Sequence, residues 1–70
     1  MSTRIECTVN GQAHAFDARL TLTELIAHFG LHEKGVFIEH NREPLHRDDY
    51  ARTRIADGDT IEIVAMMAGG

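Results

Sequence analysis

The segment from Thr21 to Gly30 constrains the fold of this sequence more than any other, because it carries the full signature of a short α-helix. Thr21 and Glu24 have the spacing of a capping box, in which each side chain binds the backbone amide of the other residue. Gly30 suits the left-handed position just past a helix end. The apolar residues between these ends define one stripe at helical spacing: Leu22, Leu25, Ile26 and Phe29. The pattern predicts a helix over residues 22–29.

The sequence before this helix predicts a β-hairpin. Residues 5–9 alternate between apolar and polar side chains, as in a half-buried strand. Asn10 and Gly11 follow, and this pair favours a two-residue turn because both central positions of a type I′ turn need positive φ. Residues 12–16 then form the returning strand. We expect Phe16 on its inward face, with His14 on the same side.

The sequence after the helix predicts two more strands and a short edge segment. Val36–His40 and Thr60–Ala65 both have apolar residues at alternate positions. Asn41 to Glu43 is expected to turn. Pro44 and Leu45 fit an edge segment, where the missing N–H of proline does least harm.

A polar connection, residues 47–54, precedes the last strand and is predicted to be irregular or briefly helical. Tyr50 and Ile55 are its expected anchors, and Asp57-Gly58-Asp59 forms a tight turn.

The order of elements predicts an α+β fold of the β-grasp type. A hairpin, a crossing helix and further strands give a mixed sheet of four to five strands wrapped on one main helix. We expect residues 1–65 to form this domain and residues 66–70 to form a flexible C-terminal tail.

Size and composition exclude several classes of protein. A chain of 70 residues buries only about 60% of its unfolded surface, which leaves little room for a substrate pocket and argues against an independent enzyme. The formal charge of −4 argues against nucleic acid. The single cysteine, Cys7, suits a reducing compartment, and there is no signal-peptide pattern or long apolar run. We expect a cytoplasmic protein without a membrane partner.

The C-terminal glycines point to a function. Gly69 and Gly70 follow the last predicted strand after only Met66, Met67 and Ala68. Glycine has no Cβ, so its backbone can enter a channel that other residues would block. Gly70 would present its carboxylate at the end of that channel, with Gly69, Ala68 and Met67 as the segment that enters.

With these elements placed, the sequence resembles the ThiS/MoaD family of ubiquitin-like sulfur carriers over nearly its whole length, and most of all the thiamine branch. The resemblance rests on the order of several short pieces: Val9-Asn10-Gly11, Leu20 to Ile26, Asn41 with Leu45 and Arg47, Tyr50, Asp57 to Val64, and Ala68-Gly69-Gly70. Three departures stand out. His40 replaces a usually apolar residue, His46 replaces a frequent proline, and Met66-Met67 is an unusual approach to the tail.

The resemblance implies a protein substrate rather than an enzyme. An E1-like adenylyltransferase of the ThiF type would use Mg-ATP to convert the Gly70 carboxylate to an acyl-adenylate. A persulfide donor would then give a thiocarboxylate, and thiazole synthase of the ThiG type would take the sulfur into the thiazole ring of thiamine. The carrier itself would bind no cofactor.

The positions of several other residues in the predicted elements suggest roles for them. Phe37, Val64 and Met66 should lie on the sheet face away from the helix and dock a partner. Cys7 alternates inward and fits a buried structural role. The five histidines complete no recognisable ligand spacing with cysteines or carboxylates, so no metal site is expected. Most acidic residues are expected to form a solvated surface.

Three alternative functions stay open from the sequence. The same chemistry could serve molybdopterin synthesis or another pathway. A ubiquitin-like modifier would use the same activation but transfer Gly70 to lysine. A plain β-grasp interaction module would have an inert tail.

Overall fold

The computed structural model describes residues 4–66, which form a five-stranded sheet with one α-helix packed on it. The elements in chain order are β1 (Ile5–Val9), β2 (Gln12–Phe16), α1 (Leu22–His28), β3 (Val36–His40), β4 (Glu43–Leu45) and β5 (Thr60–Ala65). Short 3₁₀ helices cover Glu33–Gly35 and Arg47–Arg52. The predicted helix is confirmed, with Phe29 as its C-cap rather than its last residue. The predicted limits of the domain and the tail stay predictions, because residues 1–3 and 67–70 lie outside the described range.

The sheet has the strand order β2-β1-β5-β3-β4. β1 and β5 run parallel, and the other neighbouring strands run antiparallel. The sheet is therefore mixed, and the β-grasp prediction is confirmed.

The hairpin between β1 and β2 has the predicted turn. Asn10 and Gly11 have φ of 51° and 82°, as a type I′ turn requires. The register sets Phe16 opposite Ile5 and His14 opposite Cys7. Since Ile5 and Cys7 are buried beneath the helix, Phe16 and His14 lie on the inward side, as predicted.

The turn between β3 and β4 is shorter than predicted. It consists of Asn41 and Arg42, with φ of 54° and 71°, and β4 begins at Glu43. Neither residue is glycine, so a sequence pattern based on glycine does not reveal this turn.

The caps of α1 explain why the helix begins and ends where it does. The Thr21 hydroxyl accepts from the Glu24 amide at 3.1 Å, and the Glu24 carboxylate accepts from the Thr21 amide at 2.8 Å. The hydrogen bond from the Thr21 backbone lowers the pKa of Glu24. At the other end, the amides of Gly30 and Leu31 donate to the carbonyls of Ala27 and Ile26, which is a Schellman motif.

The core lies between α1 and the inward face of the sheet. Tyr50 and Ile55 are both buried, which confirms that they anchor the connection between β4 and β5. The Tyr50 hydroxyl accepts a hydrogen bond from the Ile38 amide at 3.0 Å. The buried residues of the core are Ile5, Cys7, Val9, Leu22, Leu25, Ile26, Val36, Ile38, Tyr50, Ile55, Ile61 and Ile63.

β5 is the central strand, and two asparagines fix its position. The Asn10 side chain accepts from the Ile63 amide at 2.7 Å and donates to the Ile63 carbonyl at 3.1 Å. The Asn41 side chain accepts from the Thr60 amide at 2.9 Å, and the Asn41 amide donates to the Thr60 carbonyl at 2.7 Å. Each asparagine occupies the first position of a tight turn and also binds the backbone of β5. The strand that leads to the tail is thus held at its first residue, Thr60, and near its middle, at Ile63.

Candidate functional site

The tail leaves the fold at the end of the central strand. The Met66 amide donates to the Gly35 carbonyl at 2.8 Å, so pairing continues one residue beyond Ala65. The predicted tail residues Met67, Ala68, Gly69 and Gly70 lie outside the described residues. Their roles stay predictions, but the structure fixes the point from which they begin.

The three predicted docking residues are all exposed. We call Phe37, Val64 and Met66 the apolar patch, and the sheet face away from α1 the open face. Phe37 and Val64 lie directly opposite each other on β3 and β5, and each is 57% exposed. Met66 is 42% exposed, at the start of the tail. The predicted exposure is confirmed, whereas the docking role stays a prediction.

A concave surface of about 330 Å³ adjoins Phe37. Leu45 and Tyr50 contribute apolar lining, and Arg47 contributes a cation. The Arg47 guanidinium also donates to the Lys34 carbonyl at 3.4 Å. The sequence did not indicate this hollow, because β4 and the connection after it are irregular and have no periodic pattern.

His40 has a structural partner that the sequence did not reveal. Its Nε2 atom lies 2.8 Å from Oδ2 of Asp59, and both side chains are largely buried. Burial by itself raises the pKa of Asp59, but hydrogen bonds from His40, the Ala56 amide and Asn41 outweigh burial and lower it. A histidine thus fits this position because Asp59, in the turn before β5, binds it.

His46, the second departure from the family pattern, caps the 3₁₀ helix at Arg47–Arg52. Its Nδ1 accepts from the Asp48 amide at 3.1 Å. His32 caps the other 3₁₀ helix in the same way, through the Lys34 amide at 3.2 Å.

Two further histidines contact aromatic rings rather than ligand partners. His14 and His28 contact Phe16 and Phe29 with ring centroids 5.0–6.3 Å apart. Within residues 4–66, no three side chains of the metal-ligating types come together.

Cys7 is 3% exposed beneath the helix, as its alternation predicted. Burial raises the pKa of its thiol, and the nearby Asp59 charge adds to that effect. Since the thiolate is the reactive form, this environment suits a structural side chain rather than a sulfur-transferring one.

The described helices were predicted not to span a membrane. None of the helices between residues 4 and 66 has the length and apolarity needed to cross a bilayer.

Comparisons with known proteins agree on one family. The model of the ThiS family matches residues 4–70. Over 50 residues, the chain is 36% identical to the sulfur carrier protein ThiS of Bacillus subtilis, with 71% of this chain and 76% of that protein covered. Over 66 residues, it is 33% identical to a thiazole synthase of Paramagnetospirillum magneticum. That match covers 94% of this chain but only 20% of the synthase, so the chain spans a fifth of the length of that relative.

Solved structures give the same result. The crystal structure of the thiamine biosynthesis protein ThiS from Geobacter metallireducens has a TM-score of 0.78 and 33% identity, with 94% of this chain and all of that chain covered. A solution structure of a thiamine biosynthesis protein from the same organism has a TM-score of 0.77. The similarity thus extends to the sequence as well as to the fold.

Proposed function

The chain belongs to the ThiS family, and from this membership we propose that it is the sulfur carrier for the thiazole ring of thiamine. The observation that carries the proposal is the match to the family, which continues past the described residues to Gly70. In this proposal the Gly70 carboxylate bears the sulfur, and the chain is a substrate of other enzymes rather than an enzyme.

The proposed chemistry begins with activation of the carboxylate. A carboxylate is a poor electrophile, because its oxygen is a poor leaving group. An E1-like adenylyltransferase would use Mg-ATP to attach AMP to Gly70, which gives a good leaving group. The outer sulfur of a persulfide donor would then displace AMP, which gives an acyl disulfide. A second thiol would cleave its S–S bond, forming a disulfide with the donor and leaving on Gly70 a thiocarboxylate, whose sulfur is a strong nucleophile.

The fold supports the delivery of such a tail. β5 lies at the centre of the sheet between β1 and β3, and Asn10 and Asn41 bind its backbone. A partner that draws the tail into a channel would therefore pull on a strand that is paired on both sides. The apolar patch, at the same end of β5, offers that partner a contact surface.

The match to a thiazole synthase supports thiazole formation as the sulfur-accepting step. A segment similar to this chain makes up about a fifth of that synthase. Covalent linkage of two modules raises their effective concentration, which favours their joint action. The proposed partners of this chain are therefore a separate thiazole synthase, the adenylyltransferase and the persulfide donor. We place this system in the cytoplasm.

The mass of the intact protein tests this function. The full chain is incubated with its adenylating enzyme, Mg-ATP, a persulfide donor and a thiol reductant, and a reaction without ATP is the control. A gain of one sulfur for one oxygen supports the carrier. Transfer onto lysine would indicate a modifier, and an unchanged mass would indicate an inert tail. Loss of the gained sulfur on addition of thiazole synthase with its other substrates, but not of a molybdopterin-forming enzyme with its substrates, would assign the pathway.

A further inference from the structure

Two carboxylates face each other on the open face. Glu39 on β3 and Glu62 on β5 are directly opposite in the register, and we call them the acidic pair. Side chains in such positions have Cβ atoms about 4.5–5.5 Å apart, and like charges placed so destabilise the sheet. Within residues 4–66, neither carboxylate has a lysine, arginine or histidine nitrogen within 4.0 Å.

The strands supply no cation to balance this charge. Across the described chain, no lysine or arginine occurs in any of the five strands. By the register, Pro44 lies opposite Glu39 on β4, and Thr60 lies two residues before Glu62 on β5, so these neighbours of the acidic pair are uncharged. The centre of the open face is therefore negative.

The acidic pair adjoins the apolar patch. Phe37 and Val64 lie two residues from Glu39 and Glu62 along the same two strands. Two residues of a strand span roughly 7 Å, so a single protein surface contacts both pairs at once. A surface that covers the patch must then either neutralise the two carboxylates or bury them unpaired, which is costly.

We propose that the acidic pair recognises arginine or lysine side chains on the enzyme that activates Gly70, beside an apolar contact with Phe37 and Val64. The identity of this partner rests on the proposed function, whereas its cationic character rests on the charge of the open face. The repulsion between Glu39 and Glu62 weakens the free domain, and binding to the cationic partner relieves it.

The requirements of a carrier favour this form of recognition. A carrier must find its enzyme quickly and leave it after each transfer. Complementary charge raises the association rate more than it raises affinity, and the effect weakens with salt. A large apolar interface would instead slow release.

The test compares two variants of the full chain that lose the same charge. One is E39Q/E62Q, and the control is D17N/E43Q, whose two carboxylates are exposed. Asp17 follows β2 and lies 3.4 Å from Arg4, and Glu43 pairs with His40 at the edge of the sheet. Affinity for the adenylating enzyme is measured by calorimetry without ATP, at low and at high salt. We expect E39Q/E62Q to bind on the order of tenfold more weakly at low salt, with a smaller salt dependence. The control should bind like the parent.

A second measurement separates recognition from folding. Removal of the like charges should raise the melting temperature of free E39Q/E62Q by roughly 1–5 °C, so that weaker binding accompanies higher stability. Three outcomes would overturn the proposal. E39Q/E62Q could bind the adenylating enzyme like the control, or the parent could fail to bind that enzyme. The third outcome is that the two variants differ only in their affinity for thiazole synthase. None of these outcomes requires sulfur transfer. A parent that binds but gains no sulfur would refute the proposed function alone.

Discussion

The side chains on the helix-covered face of the sheet are largely buried by the described residues, 4–66, whereas the apolar side chains on the open face stay exposed. Val36 and Phe37 are neighbours on β3, yet Val36 is 1% exposed and Phe37 is 57% exposed. On β5, Ile63 and Val64 show the same contrast, with 7% and 57%. Both faces hold apolar residues, so apolar content does not distinguish the core from a contact surface. The position of α1 decides which residues are core.

The size of the side chains sharpens this contrast. Of these two neighbours on β3, the larger side chain, Phe37, points outward and the smaller one, Val36, points inward. An aromatic ring buries more area than valine and would stabilise a core more. An exposed phenylalanine opposite an exposed valine therefore adds little to the stability of the free domain, and its area is available to a partner.

The largest expected effect comes from the tail, beyond both faces. Deletion of Gly70 should abolish adenylation, because the carboxylate then falls about 3.5 Å short of the nucleotide. Reacting atoms must approach within about 3–3.5 Å, so this shift is disabling. Gly69→Val keeps the length of the tail but adds a branched side chain and should also abolish the reaction. ATP–pyrophosphate exchange with the adenylating enzyme is the measurement.

Thermal melting is the control for the tail variants. The core of the described chain runs from Ile5 to Ile63, so both variants should melt like the parent. Exchange at the parent rate after deletion of Gly70 would show that the terminal carboxylate does not react.

The second largest effect compares the two faces directly. Leu25→Ala opens a cavity under the helix, where Leu25 is fully buried, and should lower the free energy of unfolding by about 2–5 kcal/mol. Phe37→Ala on the open face should change it by no more than about 0.5 kcal/mol. Urea denaturation of both variants measures the difference. Similar losses would mean that the open face contributes to the core.

The sequence predicted the features of the two sheet faces that depend on local patterns of residues. The capping box located α1, and alternation in β1, β3 and β5 assigned each residue to the correct face. Asn10-Gly11 predicted the first turn because glycine tolerates positive φ, whereas Asn41-Arg42 formed the same kind of turn without this signal.

Features that depend on register could not be predicted from the sequence. Glu39 and Glu62 are 23 residues apart in the chain, and only the pairing of β3 with β5 makes them neighbours. The contact between His40 and Asp59 likewise joins the end of one strand to the turn before another. The sequence thus identified the apolar patch but missed its acidic border.

A smaller effect is expected from a charge within the apolar patch. Phe37→Asp should weaken binding to the adenylating enzyme by roughly 10–100-fold, because the complex would bury an unpaired carboxylate. The free domain should tolerate the change, since this side chain is more than half exposed. Calorimetry on the folded variant measures the affinity, and Leu31→Asp is a control on another exposed apolar residue. Equal losses for both variants would mean that general charge, rather than the patch, sets the affinity.

The smallest expected effect concerns Asp59, which joins β3 to the turn before β5. Hydrogen bonds from His40, the Ala56 amide and Asn41 lower its pKa against the opposing effect of burial. A carboxyl whose pKa is lowered by folding stabilises the fold above its unfolded pKa of about 3.9, and this contribution is lost as the pH falls through the folded value. Asp59→Asn should therefore cost about 1 kcal/mol near neutral pH and progressively less below about pH 4. Chemical denaturation from pH 7 to pH 2 measures this, with the exposed Asp17→Asn as the control. A cost that stays constant down to pH 2 would show that shape, and not the charge of Asp59, holds this end of the sheet.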